Sequence, residues 1–186
     1  MAARGGAPQA ASMTRLRPVL LALTMVVGLV GGLAQPADAL STGGSIRFPG
    51  LGRSGTETMS GTIYNWGCRG GEIGSRIYRW GCAGVNNRYL LGHAHAGFDE
   101  LHDFVRARGA AAGTRALVGR RVYLRTSSGE IRRYRVVWAR VASVDYWGRT
   151  GDQWAWNATI VPSITFQTCY GSRSQYRLIV RAERVG

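Results

Sequence analysis

The chain has 186 residues and a formal net charge of +14 at neutral pH, and all 24 of its basic residues are arginine. Without lysine there is no Schiff-base chemistry on a lysine amine, and three cysteines and three histidines confine thiol and imidazole chemistry to a few positions. The charge suits an acidic surface such as an anionic cell envelope, and it carries no information about fold.

Residues 1–39 combine Arg15 and Arg17, an apolar run from Val19 to Ala34 and the small-residue triplet Ala37-Asp38-Ala39. That is the layout of a secretory signal peptide cleaved after Ala39. The competing reading is a retained membrane anchor, but the run is interrupted by Gly28, Gly31 and Gly32 and is shorter than the roughly 20 residues that span a bilayer. The expected product is an exported or envelope-associated chain, residues 40–186, of single-domain length.

Residues 40–60 are rich in Gly, Ser and Thr, with an apolar kernel at Ile46-Arg47-Phe48-Pro49 that reads as a first, edge-type strand. Short β-type runs follow at Thr62 to Trp66, Arg76 to Trp80 and Arg88 to Leu91, each bounded by Gly, Asn or Cys. Ala96 to Arg108 is the one persuasive helix, with Phe98, Leu101, Phe104 and Val105 on one face. Asp99 and Glu100 at its start and Arg106 and Arg108 at its end suit the helix dipole, and Gly109 is a plausible stop.

Beyond Gly119 the pattern returns to strands. The longest runs from Ile131 to Val144, with Ile131, Arg133, Arg135, Val137, Ala139 and Val141 on one face. Ala158 to Cys169 and Gln175 to Ala182 complete the set, joined by the short connection Tyr170 to Ser174. No internal repeat stands out beyond the leader. Many short strands, one helix and abundant glycine predict a mainly β fold closed into a barrel over residues 61–186.

An exported protein with an odd number of cysteines leaves one thiol unpaired. Cys68 and Cys82 sit in matching contexts, Trp66-Gly67-Cys68 and Trp80-Gly81-Cys82, and are the natural disulfide pair. Cys169 is then the free one, either a reactive thiol or a buried structural cysteine. It closes an apolar strand beside a loop, a common position for reactive residues. Arg177 opens the next strand eight residues later, where antiparallel pairing makes the two side chains neighbours. A guanidinium there can stabilise a thiolate or an oxyanion.

A cysteine nucleophile needs an acid/base partner. His93 follows Tyr89-Leu90-Leu91-Gly92 at a strand end, whereas His102 lies on the helix and reads as an ordinary polar helix residue. His93-Ala94-His95 has the spacing of a metal-binding pair, which Asp99, His102 or Asp103 could complete, but a match of this size is weak and no metal or cofactor is expected.

Taken together, these segments resemble the sortase family over most of residues 40–186. Thr165-Phe166-Gln167-Thr168-Cys169 followed by Arg177-Leu178-Ile179-Val180-Arg181-Ala182 is similar to the family's Thr-Leu-x-Thr-Cys strand and its arginine strand, with Phe166 where leucine is usual. Tyr89-Leu90-Leu91-Gly92-His93 is similar to the strand that delivers the family's Gly-His, and Ile46 to Pro49 to its first-strand kernel. The resemblance implies an eight-stranded barrel, a catalytic set of Cys169, His93 and Arg177, and a substrate-positioning role for Thr168. It also implies cleavage of an LPXTG-like sorting signal through a thioacyl enzyme, with transfer to an amine of the cell wall or a pilin. Two other classes compete: a catalytically silent barrel that binds peptide or wall polymer, and a basic nucleic-acid-binding barrel, against which export argues.

Overall fold

The computed structural model describes residues 42–52, 55–68, 74–144 and 153–186; the leader and Trp147 lie outside them. Eight strands form along the chain: β1 (Thr42–Leu51), β2 (Glu57–Trp66), β3 (Ile77–Trp80), β4 (Asn87–Leu91), β5 (Arg121–Arg125), β6 (Ile131–Ser143), β7 (Ser163–Tyr170) and β8 (Tyr176–Arg184). They close into a barrel in the order β1-β2-β3-β4-β7-β8-β6-β5. Pairing of Ile46 with Leu124 is part of the seam between β1 and β5, so β1 is an integral stave and not an edge. Closure removes the exposed strand edges that a sheet of this size would otherwise present.

Side-chain alternation divides β2, β3, β4, β6 and β8 between two apolar clusters. Ile46, Phe48, Ile63, Leu90, Val136, Phe166, Leu178 and Val180 fill the barrel interior. Tyr89, Leu91, Ala142 and Ile179 point outward, where Ala155 and five tryptophans cover them: Trp66, Trp80, Trp138, Trp154 and Trp156. These aromatics are therefore packing residues.

Among the described residues the barrel is accompanied by α1 (Asp99–Arg108), α2 (Ala110–Leu117) and α3 (Gln153–Trp156). α1 buries Leu101, Phe104 and Val105 as expected, and also His102, which is not an ordinary polar surface residue of the helix. Gly109, at φ 77°, ends α1, but the chain turns there directly into α2 and does not leave helical structure. Ala110-Ala111-Ala112 supplies strong helix propensity. The segment escaped notice because Leu117 is its only large apolar residue and there is no periodic stripe to read.

Two further expectations change. Residues 158–162 are not strand, and β7 begins at Ser163, just past Pro162. In β6 a register shift between Val136 and Trp138 reverses the facing of side chains: Tyr134 and Val136 point inward before it, and Ala139 and Val141 pack on the same core after it. A simple alternation through thirteen residues misses this bulge.

The chain also contains a short internal repeat, contrary to expectation. Ile63-Tyr64-Asn65-Trp66-Gly67-Cys68 and Ile77-Tyr78-Arg79-Trp80-Gly81-Cys82 differ at one position. They form the parallel pair β2 and β3, in which Ile63 faces Ile77 and Trp66 faces Trp80. Cys68 and Cys82, bonded to each other, continue the same offset.

A buried polar knot fastens α3 to the barrel. The Asn87 amide donates to the carbonyls of Ala155 (2.8 Å) and Asn157 (3.0 Å) and accepts from Thr165 Oγ1 (2.9 Å). Arg181 donates to Thr165 Oγ1 and to the carbonyls of Trp154 and Ala155. Removing a shared partner strands several buried groups at once, so Asn87→Ala should cost about 2–4 kcal/mol. Urea denaturation should show a lower midpoint with an unchanged slope.

Candidate active site

β7 is flanked by β4 in parallel and β8 antiparallel. On the β8 side, Cys169 is paired directly with Arg177. On the β4 side, Leu91 pairs with Gln167, and the Gly92 amide extends the ladder to the Gln167 carbonyl at 3.3 Å. The ladder ends there; His93 follows two residues past Leu91, outside β4, as Cys169 follows two residues past Gln167 on β7. Cys169 and Arg177 thus sit opposite each other on neighbouring strands, and His93 follows the end of the strand on the other side of β7.

Cys169 and Arg177 also share a face: Cys169 has the parity of Gln167 and Thr165, opposite to the core residue Phe166, and Arg177 has that of outward-pointing Ile179. Thr168 falls on the other face. It is 2 % exposed, and its hydroxyl is buried without a hydrogen-bond partner. Any contact Thr168 makes with a ligand beside Cys169 goes through its backbone.

Cys169 is the free thiol and is half-buried; Cys68 and Cys82 are joined. Arg177 directs Nη1 to the carbonyls of Ser174 (2.8 Å) and Tyr176 (3.1 Å), so its guanidinium rests on the β7–β8 turn. His93 is exposed on a tight reversal that its carbonyl closes by accepting from the Ala96 amide at 3.3 Å. The residue before it has to be glycine, because a Cβ on Gly92 would lie 2.4 Å from the Phe98 ring. Phe98 is itself buried against Phe166, so core packing sets the height at which the imidazole emerges.

The face beside Cys169 is floored by Gln167, Leu91 and Tyr89, with the Tyr89 hydroxyl donating to the Gln167 side chain. The outer cluster of Ile179, Ala142 and Trp154 borders it. On the other flank, His95, His102, Arg106 and Tyr170 line a cavity of about 290 Å³. His102 packs against both His95 (5.3 Å between rings) and Tyr170 (5.6 Å), with Nδ1 3.1 Å from Asp103. His95 thus packs on α1 through His102 and shares a cavity with Tyr170, the residue after Cys169. Among the described residues no three His, Cys, Asp or Glu side chains gather as a metal-binding set. Helical periodicity offered a signal for His102, which follows Leu101 on the apolar side, whereas nothing in the sequence announced the aromatic contact to Tyr170.

A sortase domain model matches residues 80–185, more than half of the chain, and the chain belongs to the sortase family. Solved structures with this fold include sortase A from Corynebacterium diphtheriae (TM-score 0.54, 18% identity, covering 79% of this chain and 62% of that one). Clostridium perfringens sortase C, solved with the C-terminal cell wall sorting motif, gives 0.51 at 19% identity, covering 78% and 71%. The sortase D5 transpeptidase of the same species gives 0.52 at 18%, covering 79% and 82%. Identities this low speak for the fold, and this chain spans less than two thirds of the sortase A chain. No curated protein matches it.

With one unpaired thiol that is only half-buried, iodoacetamide should alkylate the native, unreduced protein once, at Cys169. Intact-mass and peptide mapping should find that adduct missing from Cys169→Ala.

Proposed function

We propose that this protein is an exported cysteine transpeptidase that cleaves an LPXTG-like sorting signal and transfers the acyl fragment to an amine. The observation that carries the reading is the pairing of the free thiol Cys169 with Arg177 across β7 and β8, next to the segment in which the Gly92 amide, one residue before His93, bonds the Gln167 carbonyl. A surplus thiol in an oxidising compartment calls for such a task. The leader, residues 1–39, supports export to the envelope, and the basic surface suits an anionic wall.

In this reading the Cys169 thiolate attacks the threonine carbonyl carbon of the signal. A tetrahedral oxyanion forms, and Arg177 turns from its resting carbonyls to hold it. The carbon–nitrogen bond then breaks, His93 delivers a proton to the departing amine, and a thioester to Cys169 remains. An incoming amine from the wall or a pilin gives its proton to His93, attacks the thioester and releases the thiolate. Failing an amine, water completes hydrolysis. The peptide would lie on the Gln167 and Leu91 floor beneath Trp154, and the amine would approach from the flank that carries Tyr170 and His102.

The deciding experiment incubates the protein with LPXTG-type peptides, with and without hydroxylamine, and follows intact mass. A thioacyl adduct or hydroxamate that disappears in Cys169→Ala is the expected result. His93→Ala should lower the rate by about 10²–10⁴ and Arg177→Ala by about 10²–10³. A Cys169 that alkylates readily while no peptide in a broad panel is cleaved would instead make the protein a peptide-binding barrel.

A further inference from the structure

The end of the barrel remote from Cys169 has its own chemistry. Arg79 continues the inward stripe of Ile77, Arg88 that of Leu90, Arg132 that of Tyr134 and Val136, and Arg184 that of Ala182 and Val180. Four arginines from four staves therefore converge where the apolar interior stops. They line a concave opening of about 360 Å³, within the roughly 300–1,000 Å³ typical of small-ligand sites.

The local acids do not balance them. Glu130 bonds Arg132 at 2.7 Å and reaches Arg184 at 3.5 Å, while Arg79 has no ion pair among the described residues. Arg88 has one hydrogen bond, to the Gly43 carbonyl at 3.0 Å. Arg132 Nε is buried with no acceptor. Burial, then the charges of Arg79 and Arg132, push Arg88 below the usual arginine range. The arrangement is a set of like charges held together by the strands, with donor groups left over.

We propose that this mouth is a binding site for a phosphate-bearing ligand, a phosphate ester or pyrophosphate group seated among Arg79, Arg88, Arg132 and Arg184. Planar guanidiniums bind phosphate oxygens through paired N–H donors, and a multivalent anion would supply the acceptors and the negative charge that Glu130 alone does not. The site is independent of the transpeptidase reading. Ser163, at its rim, opens β7, and Cys169 lies six residues along the same strand, about 20 Å away.

The test measures binding of pyrophosphate by calorimetry, and of phosphatidylglycerol in phosphatidylcholine vesicles by sedimentation, at fixed ionic strength. The proteins compared are the unaltered chain, Arg79→Gln, Arg132→Gln and, as a control for overall basicity, Arg121→Gln on the outer face of β5. Saturable binding weakened at least tenfold by Arg79→Gln and by Arg132→Gln, and unchanged in Arg121→Gln, is the expected result. Pyrophosphate binding identifies a soluble phosphate as sufficient, whereas vesicle binding alone identifies a lipid headgroup. Binding of neither probe, or equal losses in all three variants, would overturn the proposal. Arg79 is exposed and has no ion pair among the described residues, so its substitution should leave the fold intact.

Discussion

The hydrogen-bond ladders on the two sides of β7 run in opposite senses, parallel to β4 and antiparallel to β8, and the rest of the site depends on that sandwiching. An antiparallel neighbour can be joined by a short turn, so Arg177 lies close to Cys169 in sequence. A parallel neighbour has to come from far away in the chain, and His93 does. Backbone pairing alone brings Cys169 and Arg177 opposite each other, and only rotamers remain to be set. The Gly92 contact with Phe98 shows how little slack the backbone leaves.

The two apolar clusters divide the work. The interior holds the staves together, and the outer tryptophan-rich layer builds a wall beside Cys169 by seating α3 on β4 through Asn87, Thr165 and Arg181. Arg181 combines three hydrogen bonds with a place over the Trp138 ring, 5.3 Å from its centroid. Burial lowers its proton affinity from the usual arginine range, but an arginine keeps its charge in such a setting because the carbonyls of Trp154 and Ala155 replace the lost water. The wall of the groove is thus pinned by a cation and not by apolar contact alone.

Much of this was legible in the sequence, for identifiable reasons. Cys169, Arg177 and His93 each end or begin an alternating apolar run, and runs of that kind fix strand ends well enough to place the residues. α1 could be read because its buried face recurs at helical spacing. What escaped had a weaker one-dimensional trace. α2 lacks an apolar stripe; the β6 bulge changes facing without changing composition; Pro162 delays β7 inside an apolar stretch. The inward arginines at the barrel mouth leave no such trace, since alternation shows which residues share a side and not which side closes on itself. The match between Ile63 to Cys68 and Ile77 to Cys82 was visible throughout, but only its last three residues were used.

That near-identity bears on how the cysteines find their partners. Three thiols permit three pairings, two of which would consume Cys169. The native bridge closes a separation of 14 residues, whereas the two alternatives close loops more than six times longer, a difference of about 1.6 kcal/mol in closure entropy, or roughly fifteen-fold. Oxidation of the unfolded chain therefore favours joining the two copies of the motif to each other. Because the copies pair in parallel with the same offset, that early crosslink brings β2 and β3 together near their native register while most of the barrel has yet to form. The duplicated motif acts as a sorting device for sulfur, and Cys169 emerges from folding as a thiol.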